Sequence, residues 1–213
     1  MAVAAGIEVV ALTHDELVAV LVKQGERFAQ YRSKAPVGQQ GRWTIDRFEV
    51  RVDLQNLRMM VMGRGCSPGT FTRLVRDERT IVMSDTDAEV NDFLPFVRAA
   101  RGKVLVSGLG LGCVTQALLA KENVEHVTVI EIDADVIALT APHLACDRLT
   151  VINADAREWK PARGQKFSCG WHDIWDTISG DNLPEMKEMK QRLRRRCQWQ
   201  MAWAEREVLW LTR

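Results

Sequence analysis

The run Val104-Leu105-Val106-Ser107, followed at once by Gly108-Leu109-Gly110-Leu111-Gly112, constrains this chain more than any other feature. Four apolar or small residues in a row read as a buried strand. The alternating glycines read as a turn in which the backbone bends sharply and a ligand can approach without a Cβ in the way. Val114, Ala117 and Leu118 predict a helix over 113–122. Its N-terminus would offer unpaired N–H groups to a polar ligand. Val127-Thr128-Val129-Ile130-Glu131-Ile132-Asp133 then reads as a second buried strand ending in carboxylates. A strand, turn, helix and strand in this order predict a parallel α/β sheet.

The spacing chooses between ligands. Glu131 lies 23 residues after Gly108, close to the ~20 at which dinucleotide folds place an acid to accept hydrogen bonds from ribose hydroxyls. Asp133, two residues beyond the predicted strand end at Glu131, is the weaker candidate. The dinucleotide fingerprint wants G-x-G-x-x-G. Here the third glycine comes one residue early, at Gly112, and Cys113 follows. No Arg or Lys suited to a pyrophosphate stands close behind. A G-x-G-x-G turn with an acidic second strand is the pattern of proteins that bind S-adenosyl-L-methionine (SAM), which carries no phosphate. Gly108, Leu109, Gly110, Gly112, Glu131 and Ile132 are therefore the expected cofactor-binding residues. An NAD-dependent oxidoreductase is a weaker reading.

Two further strand ends carry chemistry. Asn153-Ala154-Asp155-Ala156 follows a predicted third strand, where a doubly wound sheet presents residues to its ligand. Asp155 is expected to accept from an adenine amine, with Ala156 beside it; the plainer reading of Asp155 is a helix cap. A fourth strand runs into His172-Asp173-Ile174-Trp175-Asp176. A carboxylate at Asp173 can hold a cationic amine or take its proton as general base. Asp173 is the expected proton acceptor and Asp176 the residue that orients the acceptor. Trp171 and Trp175 flank them, as a stacking surface for adenine or a cation or simply as core. His172 is expected to point away from Asp173 and be structural.

Bulk properties narrow the classes. The chain has 213 residues and a net charge of +1, enough for one α/β domain with a small appendage and without a global polyanion partner. The run Gln191-Arg192-Leu193-Arg194-Arg195-Arg196 is read as a solvated helix end favoured by the dipole, which leaves nucleic acid a weakly supported partner. Five scattered cysteines without a C-x-x-C pair suit reduced thiols in a cytosol, not disulfides or zinc; no metal is expected. Residues 1–6 are small and apolar, but no basic segment precedes them and Asp15 and Glu16 interrupt any signal-peptide core. No run approaches the ~18 apolar residues of a membrane span, so a cytoplasmic location is expected.

Along the chain, Thr13-His14-Asp15-Glu16 is a capping box opening a helix with an apolar stripe of Leu17, Val20, Leu21 and Phe28. Residues 33–42 read as a loop. Strands are predicted at 48–52, where Phe48, Val50 and Val52 alternate with charges, and at 57–62, 71–75 and 80–83. Residues 63–69 are expected to turn the chain. A helix is predicted at 88–99, parallel strands at 104–107, 127–131, 149–152 and 169–174 with helices between, and a helix carrying Leu183, Met186, Met189 and Leu193. A strand at 199–203 and one more at 205–213 complete the prediction. The fold class is α/β: a Rossmann-like doubly wound sheet over 88–213, preceded by a helix and a small antiparallel β region over 1–87.

These residues resemble the SAM-dependent methyltransferase superfamily, and within it the spermidine synthase branch, over roughly 80–176. Ser107 stands where that branch lacks the acidic residue most methyltransferases place before the turn. Glu131 and Asp133 are similar to its second-strand motif, Asp155 to its adenine-contacting Asp, and 167–176 to its Asp-x-x-Asp loop, which puts Asp173 on the proton acceptor. The departures are Leu111 where Asp is usual, Thr177 where Pro follows the second Asp, and Tyr31 as the only tyrosine. The Trp-His-Asp-Ile-Trp segment also resembles small methyltransferase-like proteins of bacteriophages, which would place the protein in a host cytoplasm. Only 40 residues follow Asp173, fewer than the superfamily's seven-stranded sheet uses. The sheet is expected to run short at its C-terminal side or to borrow strands from a partner.

The resemblance implies a SAM-dependent methyltransferase acting on an amine or hydroxyl. The alternatives are a polyamine aminopropyltransferase using decarboxylated S-adenosylmethionine and a non-catalytic SAM-binding module. A donor for the methionine carboxylate near Gly108 or Ser84 favours SAM; an acid such as Asp85 in its place favours the decarboxylated form. Base methylation of DNA is disfavoured, since neither a Pro-Pro-Tyr motif nor a Pro-Cys nucleophile is present. Trp199, Trp203 and Trp210 suggest a buried interface, as in a homodimer.

Overall fold

The computed structural model describes residues 13–61 and 65–212. Thr13 caps α1 (His14–Glu26): the Glu16 N–H donates to the Thr13 hydroxyl, and the Glu16 carboxylate accepts from the Thr13 N–H at 2.8 Å. Of the expected stripe, Leu21 and Phe28 are buried, whereas Val20 is exposed. An antiparallel sheet follows in the order β1 (Gly38–Gln40), β2 (Trp43–Val50), β3 (Gly69–Arg76) and β4 (Thr80–Ser84). Residues 33–42, read as a loop, thus hold a short edge strand. The β3–β4 hairpin turns at Asp77 and Glu78, both with positive φ, as the twist of a tight hairpin requires.

The strand expected at 57–62 is a helix, α2 (Leu54–Val61); Met62 and the following two residues lie outside the described residues. The apolar run 57–62 resembles a strand, but Asp53 decides otherwise. Its carboxylate accepts from the Asn56 N–H at 2.6 Å and its carbonyl from the Leu57 N–H at 3.0 Å, an Asx cap that starts a helix. The Asn56 side chain then pairs with the Cys66 backbone in both directions.

After α3 (Asp87–Ala99) comes a parallel sheet built from β5 (Gly102–Ser107), β6 (Val124–Glu131), β7 (Leu149–Asn153), β8 (Phe167–His172) and β9 (Cys197–Ala202). Its spatial order is β7-β6-β5-β8-β9. The chain winds outward from β5 to β7, returns, and continues outward on the other side through β8. The switch point therefore lies between β5 and β8, which opens a crevice beyond their carboxyl ends. On one face, residues of α3, α4 (Cys113–Leu119) and α5 (Ala134–Thr140) share a core with Val104, Val106, Val127 and Val129. Phe96 packs on Trp171 and Trp199 with ring centroids 5.4 and 5.2 Å apart. On the other face, α6 (Asn182–Leu193) buries Leu183, Met186, Met189 and Leu193, as their spacing predicts, against Leu105, Ile130 and Phe167.

Two further expectations change. No helix forms between β7 and β8. One turn begins at Asp155, whose carbonyl accepts from the Trp159 N–H at 2.8 Å, and it stops before Pro161, which disfavours helical geometry at Lys160. Residues 205–213, expected to be a strand, hold the helix α7 (Glu205–Leu211), which buries Val208. Glu205 and Glu207 occupy its first turn, where the helix dipole favours acids. Among the described residues no helix is long and apolar enough to cross a membrane, no metal-binding cluster forms, and all five cysteines are free.

Candidate functional site

A cavity of about 590 Å³ opens at the carboxyl ends of β5, β6, β7 and β8. Gly108, Leu109, Gly110, Glu131, Ile132, Asp155, Ala156, Asp173 and Asp176 all line it. Nine of the ten residues singled out from the sequence thus meet around one space; Gly112 does not. Gly112 precedes α4 at φ 76°, and a Cβ there would stand 2.7 Å from Leu144 and 2.9 Å from Thr140. Its small size serves the packing of the turn on 140–144.

Gly108 sets the site's shape. Its φ is +92°, and an added Cβ would lie 2.0 Å from the Asp173 carbonyl oxygen. The Asp173 N–H donates to the Ser107 carbonyl at 2.9 Å. The turn after β5 and the end of β8 are thus in contact, and the Asp173 side chain enters the cavity beside the glycines.

Glu131, at the end of β6, is buried. Its carboxylate accepts from the Leu109 N–H at 2.7 Å and the Asp133 N–H at 2.9 Å, which ties the glycine turn to the neighbouring strand. Burial raises its pKa; these two N–H groups oppose the rise. A carboxylate has about four acceptor positions, so two are left for a ligand's hydroxyls. Ile132 is 60% exposed, an unusual state for a large apolar residue beside a cavity, and a flat ring would cover it. Asp155 accepts from the Arg157 N–H through Oδ1 at 2.8 Å; its Oδ2 has no hydrogen bond among the described residues.

Asp173 is the most perturbed acid of the site. Burial pushes its carboxyl up to about 8, and the nearby acids Glu89 and Asp92 of α3 add to the shift. The Trp171 indole N–H pulls the other way. That N–H is buried and makes no hydrogen bond of ordinary geometry, so it remains available to an ionised Asp173 or to a ligand. Glu89 is itself pushed up to about 7 by burial, against two bonds from Ser84. His172, fully buried, bonds Ser107 through Nδ1 and Gln200 through Nε2, both at 2.9 Å. It lies off the cavity, where burial holds its pKa down to about 4.

The far wall was not anticipated from the sequence. It is supplied by β2, β3 and β4 through Trp43, Leu74, Arg76, Val82 and Met83. The Trp43 indole N–H donates to Asp133 at 2.6 Å, and Arg76 pairs with Asp176 at 2.6 Å. The antiparallel sheet is thereby fastened across the ends of β6 and β8. Trp43 and Arg76 are directly opposed on β2 and β3, but partners 90 and 100 residues away leave no local sequence signal.

At the two positions near which a carboxylate donor was expected, the Gly108 N–H donates to Ile130 at 2.8 Å and the Ser84 hydroxyl to Glu89 at 2.6 Å, so neither group is itself free. Asp85 does not line the cavity: it is buried and accepts from the Ser33 and Thr72 N–H groups at 3.0 and 2.6 Å. Of the flanking tryptophans, Trp175 donates to Glu185 at 2.6 Å. The only tyrosine, Tyr31, packs edge-on to Phe93, away from the cavity.

No family model matches the chain. It is similar to polyamine aminopropyltransferase 2 of Ralstonia nicotianae, with 33% identity over 95 residues covering 39% of this chain and 19% of that protein. Polyamine aminopropyltransferase 2 of Hyperthermus butylicus is 32% identical over 85 residues, covering 40% and 28%. The chain thus matches less than a third of the length of these curated relatives. Among solved structures it is similar to spermidine synthase from Thermotoga maritima, at 20% identity and TM-score 0.40 over 72% of this chain and 51% of that one. It is also similar to the N-methyltransferase NodS from Bradyrhizobium japonicum, at 14% identity and TM-score 0.39 over 49% and 56%.

Proposed function

We propose that the cavity binds SAM and that the protein transfers its methyl group to an amine or hydroxyl acceptor. The observation that carries this reading is the meeting of Glu131, Asp155, Ile132 and Asp173 around one cavity at the switch point. Glu131 would hold the ribose, Asp155 the adenine amine, and Ile132 one face of the ring. When bound, SAM supplies a methyl carbon activated by a sulfonium. The acceptor's lone pair forms the new bond as the carbon–sulfur bond breaks, and the sulfur keeps that electron pair.

An ammonium must lose a proton to expose its lone pair, and a hydroxyl must lose its proton as the new bond to oxygen forms, so either acceptor needs a base. Asp173 is placed to take that proton. A carboxyl held near 8 sits close to the operating pH, where a general base combines a useful ionised fraction with real basicity. A cation entering the cavity would lower that value and raise the ionised fraction. Asp176 would orient the acceptor.

A second reading, aminopropyl transfer from decarboxylated S-adenosylmethionine, is supported by the identity with polyamine aminopropyltransferases. Two observations favour SAM instead. Asp85 is spent on backbone N–H groups outside the cavity, whereas Arg76 lines it. The discriminating experiment is calorimetry with SAM and with its decarboxylated form, followed by product analysis. Methyl transfer releases S-adenosylhomocysteine and aminopropyl transfer releases methylthioadenosine. Binding of neither cofactor overturns both readings; binding without product on amine and hydroxyl panels leaves a non-catalytic SAM module. A homodimer belongs to the same proposal. Trp199 and Trp203 are half-buried within the chain, so Trp210, 74% exposed, is the tryptophan available to such an interface; sedimentation tests it.

A further inference from the structure

Three guanidiniums line the cavity: Arg42, Arg76 and Arg157. Arg42 pairs with Asp77 of its own sheet's hairpin turn, and both side chains are more than half exposed. Arg157 pairs with Glu185 and stands beside Asp155, at the end assigned to the nucleoside. Arg76 differs from both. It projects from the end of β3, its guanidinium lies 5.6 Å from the Trp43 ring centre, and its partner Asp176 belongs to the opposite wall. That bond is the only one this guanidinium makes among the described residues. Arginine has five donors in a planar fork suited to a carboxylate, so most of its capacity is unused.

Among the described residues, Arg76 is also the one guanidinium of the three bonded to the loop that carries Asp173, because Asp176 lies three residues beyond it. A cofactor with its sulfur beside Asp173 carries its carboxylate only four bonds from that sulfur, so this is the guanidinium its amino-acid tail would meet. We infer that Arg76 is the anchor for the cofactor's carboxylate, and that it exchanges Asp176 for that carboxylate when the cofactor binds. Asp176 is thereby released to hold a cationic acceptor only once the cofactor is in place. The inference rests on the SAM-binding reading and adds to it the residue that sets donor specificity and a coupling between the two substrates.

The test is calorimetry on the full chain with SAM, decarboxylated S-adenosylmethionine and 5′-methylthioadenosine. The last lacks the amino-acid tail and reports on the nucleoside site alone. Arg76→Gln should weaken SAM about tenfold or more, the worth of a charge-assisted bond, and leave 5′-methylthioadenosine unchanged. Asp176→Asn should tighten SAM, because the competing carboxylate is gone; a purely structural ion pair would not do this. Equal losses for SAM and 5′-methylthioadenosine in Arg76→Gln, or unchanged or weaker SAM binding in Asp176→Asn, overturn the inference while the SAM reading stands. Wild-type protein binding none of the three overturns the SAM reading itself, and the inference with it.

Discussion

The carbonyl oxygen of Asp173 occupies the space where a β-carbon on Gly108 would stand, 2.0 Å from its ideal position. The turn that would face the cofactor and the loop that would face the acceptor are therefore a single contact. Gly108→Ala must either push β8 away from β5 or distort a backbone already at φ +92°, which a side chain rarely adopts. A loss of about 2 kcal/mol or more is expected, read as a lower denaturant midpoint, together with loss of nucleoside binding. A Gly108→Ala protein of unchanged stability and affinity would show that the contact does not hold in solution.

Asp173 ties stability to activity through pH. Its carboxyl is held up to about 8 by burial and by Glu89 and Asp92. The unfolded chain loses that proton near ~4, so between these values the unfolded state binds fewer protons and stability falls as pH rises. Asp173→Asn removes this cost. Its melting temperature should exceed that of the wild type at pH 8, with the gap shrinking toward pH 4. Its turnover should fall by about a hundredfold or more. Wild-type kcat/KM should rise with pH and level off above about 8. A pH-independent difference in melting temperature would refute the assignment.

The same residues show what was legible in the sequence. β5 and β6 were readable because each carries an apolar run buried on both faces, and Leu183, Met186, Met189 and Leu193 because a helix puts all four on one side. The nine cavity residues followed from the glycine turn and its spacing to Glu131, together with the rule that ligands lie beyond strand carboxyl ends. What failed depended on a single local contact or a distant one. The 54–61 helix turns on the Asp53 cap. The 205–211 helix buries chiefly Val208, too little for a visible period. The wall carrying Trp43 and Arg76 exists only through Asp133 and Asp176, and no window of sequence spans those distances.

His172 works against Asp173 on the acid side. It is buried between Ser107 and Gln200, and burial lowers its pKa from 6.5 to about 4. The unfolded chain takes up that proton first as pH falls, so the imidazole's own contribution to stability is lost progressively from about 6.5 down to about 4, offsetting what Asp173 gains in that window. His172→Gln should therefore make the melting temperature rise more steeply as pH falls across this window, even if it lowers it at pH 7 by disturbing the Ser107 bond. An acid slope identical to that of the wild type would contradict the buried neutral imidazole.

Trp43 should matter to a ligand it need not touch. Its indole N–H, 2.6 Å from Asp133, fastens β2 to the end of β6. Asp133 also caps α5 through the Asp135 N–H at 2.9 Å and donates its own N–H to Glu131. Removing the indole donor leaves a half-buried carboxylate short of one partner, a cost of about 1–3 kcal/mol. Trp43→Phe keeps most of the apolar surface and the ring beneath Arg76 while deleting that donor. The expected result is a melting temperature lower by a few degrees, at about 2–4 °C per kcal/mol for a chain of this size, and weaker SAM binding as the cavity wall loosens. The indole uses Asp133 Oδ2 and the Asp135 N–H uses Oδ1, so Asp133→Asn must give up one of them; with its oxygen turned to the indole it loses the cap but keeps the bridge, and it should bind SAM better than Trp43→Phe. Equal damage from both substitutions would place the effect in the charge of Asp133 and not in the bridge between the two sheets.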